Sequence, residues 1–221
     1  MGVIFLNVPS LRGWRFEEVL FILGFFHVTS GLFYLHFSWT LWFPERYLIE
    51  RQLDTLMVRP INPYFQIMFK ELRSSLQELF SILLGVLLMS MAAGGLSIEW
   101  SWIKIVWLGI GVVLGAVILG GLFTLLAALS FWAKGSVSLA APLMSLMDFA
   151  QYPLDIYSNV IRVILTFVIP IGFIAFYPSA SLLREEYQEY IVYTFVLALL
   201  FSVGGYGLWH RGLRRYESAD H

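Results

Sequence analysis

The chain has 221 residues, 59% hydrophobic and only 13% charged, with a formal net charge of −1. A water-facing domain carries roughly 25% charged residues, so this composition excludes a soluble fold and implies an integral membrane protein. The near-neutral balance gives no basic field for nucleic acid, and the absence of cysteine excludes disulfides, thiolate metal sites and cysteine nucleophiles.

The opening residues, MGVIFLNVPSLRGW, lack the basic segment, long apolar core and small-residue cleavage site of a signal peptide. Crossing ~30 Å of hydrocarbon takes about 20 apolar residues, and charge-free windows mark the candidates. Residues 19–44 hold no Asp, Glu, Lys or Arg over 26 positions, enough for one tilted span. This window contains His27 and His36 and ends in Trp39, Trp42 and Phe43, as at a bilayer interface. Residues 44–70, PERYLIERQLDTLMVRPINPYFQIMFK, then form a charged island. Ile49, Leu53, Leu56 and Met57 recur at helical spacing and share a face, with Glu50, Arg51 and Asp54 opposite. Pro60 cannot continue a helix and disfavours the α conformation at Arg59, so the helix should end near Val58. An amphipathic helix tied between two spans lies at the membrane surface and offers its charged face to the cytosol or to a partner. A loop that is merely solvated has the same composition.

Residues 79–98 give a second charge-free window of 20, with Gly94 and Gly95 near its end. Glu99, Trp100, Trp102 and Lys104 make a short interfacial turn. Residues 105–133 give 29 more, with Gly109, Gly111, Gly115, Gly120 and Gly121. Small residues let helices approach closely, so this segment is expected to be a packed interior helix. Residues 135–147 are only 13 charge-free positions and include Pro142; Asp148 follows. Residues 163–183 are interrupted by Pro170, Gly172 and Pro178. Shortened and broken helices of this kind are tolerated at membrane depth only when buried in protein or lining a cavity. Residues 190–210 form the last span, ahead of a polar tail at 211–221.

Basic residues set the orientation. Arg46, Arg51, Arg59, Lys70 and Arg73 lie in or beside the island, Lys134 follows the glycine-rich span, and Arg211, Arg214 and Arg215 follow the last one. Placing all three groups in the cytoplasm makes residues 19–42 run inward, 79–98 outward, 105–133 inward and 137–153 outward. Residues 161–178 then dip in and return, and 190–209 run inward. The expectation is an all-α, single-domain, polytopic protein of five crossings plus a re-entrant segment, with its N-terminus outside. Gly2 to Leu6 could be the last turn of a missing first crossing.

Polar groups within spans are costly and often functional. His27 and His36 are nine residues apart, about 2.5 turns, so they do not share a face and do not suggest a metal pair. Asp148 and Arg162 are expected to pair, as a structural clamp or as a substrate contact. Asp155, beside Tyr152 and Tyr157, is expected at a solvated outer mouth. Pro170 and Gly172 form either a hinge or a static kink. Phe25, Phe26, Phe33, Tyr34 and Phe37 give the first span an aromatic character that suits amphipathic cargo as well as ordinary core packing. No H-E-x-x-H, G-x-S-x-G or paired intramembrane acids occur, so an intramembrane enzyme has no catalytic constellation to work with.

LDTLMVRPINPYFQ (53–66), FAQYPLDIY (149–157), LTFVIPIGFIAFYPSASLL (165–183) and RGLRRYESA (211–219) together resemble an ABC type-2 exporter permease of the small bacterial subfamily. The resemblance implies six membrane helices per subunit, of which the first is lacking here, two permease subunits as homodimer or paralogous heterodimer, and two ATPase subunits. It implies a multi-pass location in the bacterial cytoplasmic membrane and a coupling helix in the island. Glu45, Arg46, Glu50, Arg51, Asp54 and Arg59 would then be contacts to the ATPase. Leu53, Leu56 and Met57 would anchor the helix, in the partner's groove or in the permease itself. Phe26, His27, Tyr34, Asp148, Arg162 and Pro170 are the candidates for a translocation path. No G-x-x-x-x-G-K-[ST] loop exists, and the only lysines are Lys70, Lys104 and Lys134. ATP and Mg would therefore sit on the partner, and this chain would bind no cofactor or metal of its own. A non-transporting anchor or regulatory subunit of an ATPase complex shares the same bulk features.

Overall fold

The computed structural model describes residues 10–70, 76–96, 98–133 and 140–219. Arg73, Lys134 and the expected remnant of a first crossing at Gly2 to Leu6 lie outside them. The regular elements described are all helical: α1 Phe16–Phe37, α2 Trp39–Phe43, a wide π-type turn Pro44–Ile49, α3 Gln52–Met57, α4 Pro63–Lys70, α5 Leu76–Gly95, α6 Trp102–Leu129, α7 Ala140–Met147, α8 Asn159–Val163, α9 Phe176–Leu183 and α10 Tyr190–Ala219. Among the described residues four helices are long and apolar enough to cross a membrane: Phe16–Phe37, Leu76–Gly95, Trp102–Leu129 and Glu185–Tyr216.

Close backbone approach sets the bundle. α1 crosses α5 at Gly24 and Gly85, where a Cβ on Gly24 would fall 2.7 Å from the Gly85 carbonyl oxygen and one on Gly85 2.5 Å from the Gly24 oxygen. No other residue type fits there without parting the helices. Gly31 meets Ile82 and Gly95 meets Glu17, so α5 runs antiparallel to α1. α6 is the interior helix expected from its glycines. Gly111 faces Phe25 and Pro178, Gly115 faces Thr29 and Ile174, and Gly121 faces the Phe201 backbone at 2.7 Å. Along its length Trp107 meets Phe195 and Thr124 meets Gly205, and just past its end Phe131 meets Gly212. α1, α6 and α10 therefore run parallel.

Because α6 and α10 point the same way, the chain between them must return along the bundle. It does so in short pieces. α7 has eight residues, about 12 Å of rise, so the expected outward crossing at 137–153 is not one helix. Two 3₁₀ turns, Asp148–Gln151 and Leu154–Ile156, extend it. Next comes a hairpin. α8 and the π-type turn Ile164–Val168 lead down to Ile169 and Pro170, and a 3₁₀ turn Ile171–Phe173 leads into α9. α9 climbs α6 in the opposite sense, with Ile174 at Gly115, Pro178 at Gly111 and the Trp107 indole donating to Ser181 Oγ at 2.8 Å. Pro170 to Leu182 are buried throughout. The ascending leg of the hairpin thus sits inside protein, whereas Val160, Phe167 and Val168 of the descending leg are exposed.

Candidate functional site

Two regions at opposite ends of the bundle carry chemistry. The first is the floor, where α1 continues through α2 into the island. Trp209 of α10 is fully buried at its centre. Its ring lies 4.4 Å from Phe43, 5.3 Å from Trp39, 5.3 Å from Phe131 and 5.6 Å from Tyr64. Edge-to-face packing at such separations adds to the area buried by each ring. Leu53, Leu56 and Ile67 complete this second core. Leu53 and Leu56 therefore anchor the island in this chain's own bundle, with Met57 half-buried beside them.

Polar bonds lock the same segment. Tyr216 donates to Asp54 at 2.5 Å, Asn62 donates to the Tyr206 hydroxyl at 2.8 Å, and Gln66 donates to the Leu56 carbonyl at 2.9 Å. The Asn62 carboxamide oxygen accepts the Tyr64 amide at 2.9 Å and starts α4. Burial, more than anything else, pushes the Tyr64 phenol above its ordinary pKa.

The island helix departs from its sequence pattern at one point. Arg51 takes a left-handed conformation, φ 56°, which breaks the helix between Ile49 and Gln52. Ile49 is thereby removed from the Leu53 face and stands 69% exposed. Glu45, Glu50, Arg51 and Arg59 are exposed, whereas Arg46 and Asp54 are half-buried. Asp54 faces α10 and is held there, so it is a fastening of the island as well as part of its charged side.

The second region is the opposite end, where the residues before α1 meet the hairpin and the start of α10. Arg184 spans Glu18 with two bonds of 2.9 Å, donates to the Gly13 carbonyl at 2.7 Å and stacks 3.8 Å over the Trp14 ring. The hydrogen bonds to Glu18, more than any other influence, hold the Arg184 guanidinium above its ordinary pKa. Asp155 accepts from Trp14 Nε1 at 3.2 Å, from Tyr187 at 2.5 Å and from Arg162 at 3.1 Å. The expected Asp148–Arg162 pair is replaced by Asp155–Arg162, because α8 carries Arg162 up beside Asp155; Asp148 is exposed and accepts from Gln151. Asp155 is accordingly a hub and not a freely solvated mouth residue. Nearby, burial and then Tyr152 push the Tyr157 phenol up to about 12.

Of the path candidates, Arg162 lines a cavity of about 370 Å³ and Pro170 lines an adjoining one of about 480 Å³, both between the hairpin and α10. Phe26, His27, Tyr34 and Asp148 line neither. Phe25, Phe26 and Phe33 are buried in the main core, with Tyr34 and Phe37 packed against it. His27 shares hydrogen bonds with Ser81, and His36 Nδ1 lies 3.1 Å from the Leu32 carbonyl oxygen, so the two rings have separate partners. Sequence reasoning missed Trp14, Glu18, Arg184, Tyr187 and Tyr190. The dense run of charges and tyrosines at 184–193, just before the last span, was the available signal.

A family model described as ABC-2 family transporter protein matches residues 1–220. No curated protein and no solved structure matches the chain.

Proposed function

The chain belongs to the ABC-2 transporter family, a multi-pass membrane component of such transporters, and from that premise we propose that it is the permease subunit of an ATP-driven exporter in a bacterial cytoplasmic membrane. It pairs with a second permease subunit, as homodimer or paralogous heterodimer, to enclose the path. A separate ATPase holds ATP and Mg. The topology in this reading is five crossings plus a re-entrant hairpin, the fifth crossing being the broken return leg between α6 and α8.

The observation that carries the reading is the two-sided island. Its inner side is bolted to α2, which continues α1, and to α6 and α10 through Leu53, Leu56 and the Trp209 cluster. Its outer side leaves Ile49 and Val58 exposed among Glu50, Arg51 and Arg59. Exposed apolar groups rimmed by mixed charge suit a docked protein, the charges setting specificity more than affinity. A displacement of the docked ATPase reaches three long helices at once, because the island shares its core with their ends. The two permease subunits then move between inward- and outward-open states, a two-state interface biased by nucleotide on the partner.

Extraction of the native complex under mild conditions tests this. An ATPase with a P-loop should co-purify, and Glu50→Lys with Arg59→Glu should release it while the bundle stays folded. Co-purification that both reversals leave unchanged would overturn the dock. Absence of any ATPase would leave the permease without an energy source and favour an anchoring subunit. Asp54 is unsuited to this test because its removal also breaks the Tyr216 hydrogen bond that fastens the island.

A further inference from the structure

The two adjoining cavities between the hairpin and α10 form one amphipathic cleft. They share Thr166, Phe167, Glu189 and Tyr190. Their volumes fall in the range of small-molecule sites, roughly 300–1,000 Å³. The upper part is walled by Tyr177, Tyr187 and Tyr190 and carries three carboxylates, Asp155, Glu186 and Glu189, against one guanidinium, Arg162. The lower part is apolar, running past Val168, Phe173, Val196, Leu197 and Leu200 to Phe201. From Glu189 to Phe201 the cleft follows α10 for about 18 Å.

The charge of the upper part is not cancelled internally. Arg162 is committed to Asp155 at 3.1 Å. Arg184 reaches Glu186 only at 3.6 Å, while making its two 2.9 Å bonds to Glu18. Among the described residues none hydrogen-bonds or ion-pairs with the Glu189 carboxylate. The Tyr187 and Tyr177 hydroxyls are taken by Asp155 and Thr166, so neither is a free donor. Tyr177 is buried and stacks on Tyr190 at 4.1 Å, so it backs the Tyr190 ring, and Tyr187 and Tyr190 supply the aromatic surface of the cleft. The negative faces of aromatic rings attract cations, quaternary ammonium groups included. Acidic groups and ring faces at one end, with an apolar channel below, fit one kind of molecule.

We propose that this cleft binds an amphipathic cation: a single long alkyl chain in the lower part and an ammonium head among Tyr187, Tyr190, Glu186 and Glu189. The chain gains little by leaving lipid for the cleft, since both are apolar. Selectivity therefore resides in the head, and it favours positive charge over negative. The head end of this site lies at the opposite end of the bundle from the island.

Photolabelling in native membranes containing the full chain tests it. The probe is an alkyltrimethylammonium with a diazirine at the chain end, and the labelled peptides are mapped by mass spectrometry. Label should fall around Val168 and Leu200–Phe201. Dodecyltrimethylammonium should compete, and dodecyl sulfate at equal concentration should not. Glu186→Gln with Glu189→Gln, both at exposed positions, should weaken labelling by about tenfold. Equal competition by the sulfate, unchanged labelling of the double variant, or label spread along the exposed face of α5 would each overturn the proposal. The readout is binding alone, so failure of the docking test leaves this result interpretable, and the reverse holds too.

Discussion

Arg184 lies where the residues before α1, α1 itself, α9 and the approach to α10 meet, and its guanidinium satisfies groups from three of them. Glu18 is buried and receives two parallel bonds from Arg184. Removing one partner of such a pair leaves an uncompensated charge, at a cost of about 3 kcal/mol. Arg162 is different: its side chain is 43% exposed, and Asp155 keeps the Trp14 and Tyr187 donors when Arg162 is gone. Loss of an exposed pair costs under about 1 kcal/mol. Thermal unfolding in detergent should therefore show a large fall in Tm for Arg184→Ala and a small one for Arg162→Ala. Arg184→Lys should rescue little, because lysine offers neither the bidentate fork nor the stacking on Trp14. Equal falls for the two alanine variants would sink this ranking. The partner of Arg162 was not readable in the sequence. Asp148 and Asp155 are both within reach along the chain, and only the path of α7 and the 3₁₀ turns decides between them. The same holds for Trp14 and Asp155, 141 positions apart, which no local pattern connects.

Elements were legible where a single physical demand dominates. The charge-free windows became the four long helices because hydrocarbon tolerates little else. α6 became the interior helix because its small residues permit contact on several sides, with α1, α9 and α10. The island helix was legible at its end, near Val58, where Pro60 acts locally. It was not legible at its start, because the left-handed turn at Arg51, between the buried Tyr47 and Leu53, has no glycine to announce it. The glycines themselves differ in role, and substitution separates them. Gly85→Ala drives a methyl group into the Gly24 backbone, where neither side can yield, and should destabilise by about 1–3 kcal/mol. Gly109 has nothing within 4 Å of a built Cβ, so Gly109→Ala should be neutral or slightly stabilising through helix propensity. Thermal unfolding of the two variants side by side checks this. A Gly85→Ala protein as stable as the parent would show that the α1–α5 crossing adjusts freely.

At the scale of the whole molecule, direction is what the packing adds to the windows. Hydropathy counts four long helices but does not reveal that α1, α6 and α10 run parallel with α5 opposed. Four crossings in strict alternation would oppose α6 and α10, so the segment between those two must carry the chain back across the bundle. Its pieces are each too short to read as a span, which is why composition alone left the region as broken helix. The same geometry puts both ends of the hairpin, Asn159 and Leu183, on the Trp14 side, and the island on the other. The absence of native cysteine makes this directly measurable, because any introduced thiol is the only one present. Asn159→Cys and Gln188→Cys, both at exposed positions, should react with a membrane-impermeant maleimide added to intact cells whose outer barrier is permeabilised. Thr55→Cys on α3 should react only once the cytoplasmic membrane is opened. Labelling of Asn159→Cys and Gln188→Cys from opposite sides would mean that residues 159–183 cross the membrane and do not return. Labelling of Thr55→Cys from outside would remove the island from any cytoplasmic ATPase, and the coupling reading with it.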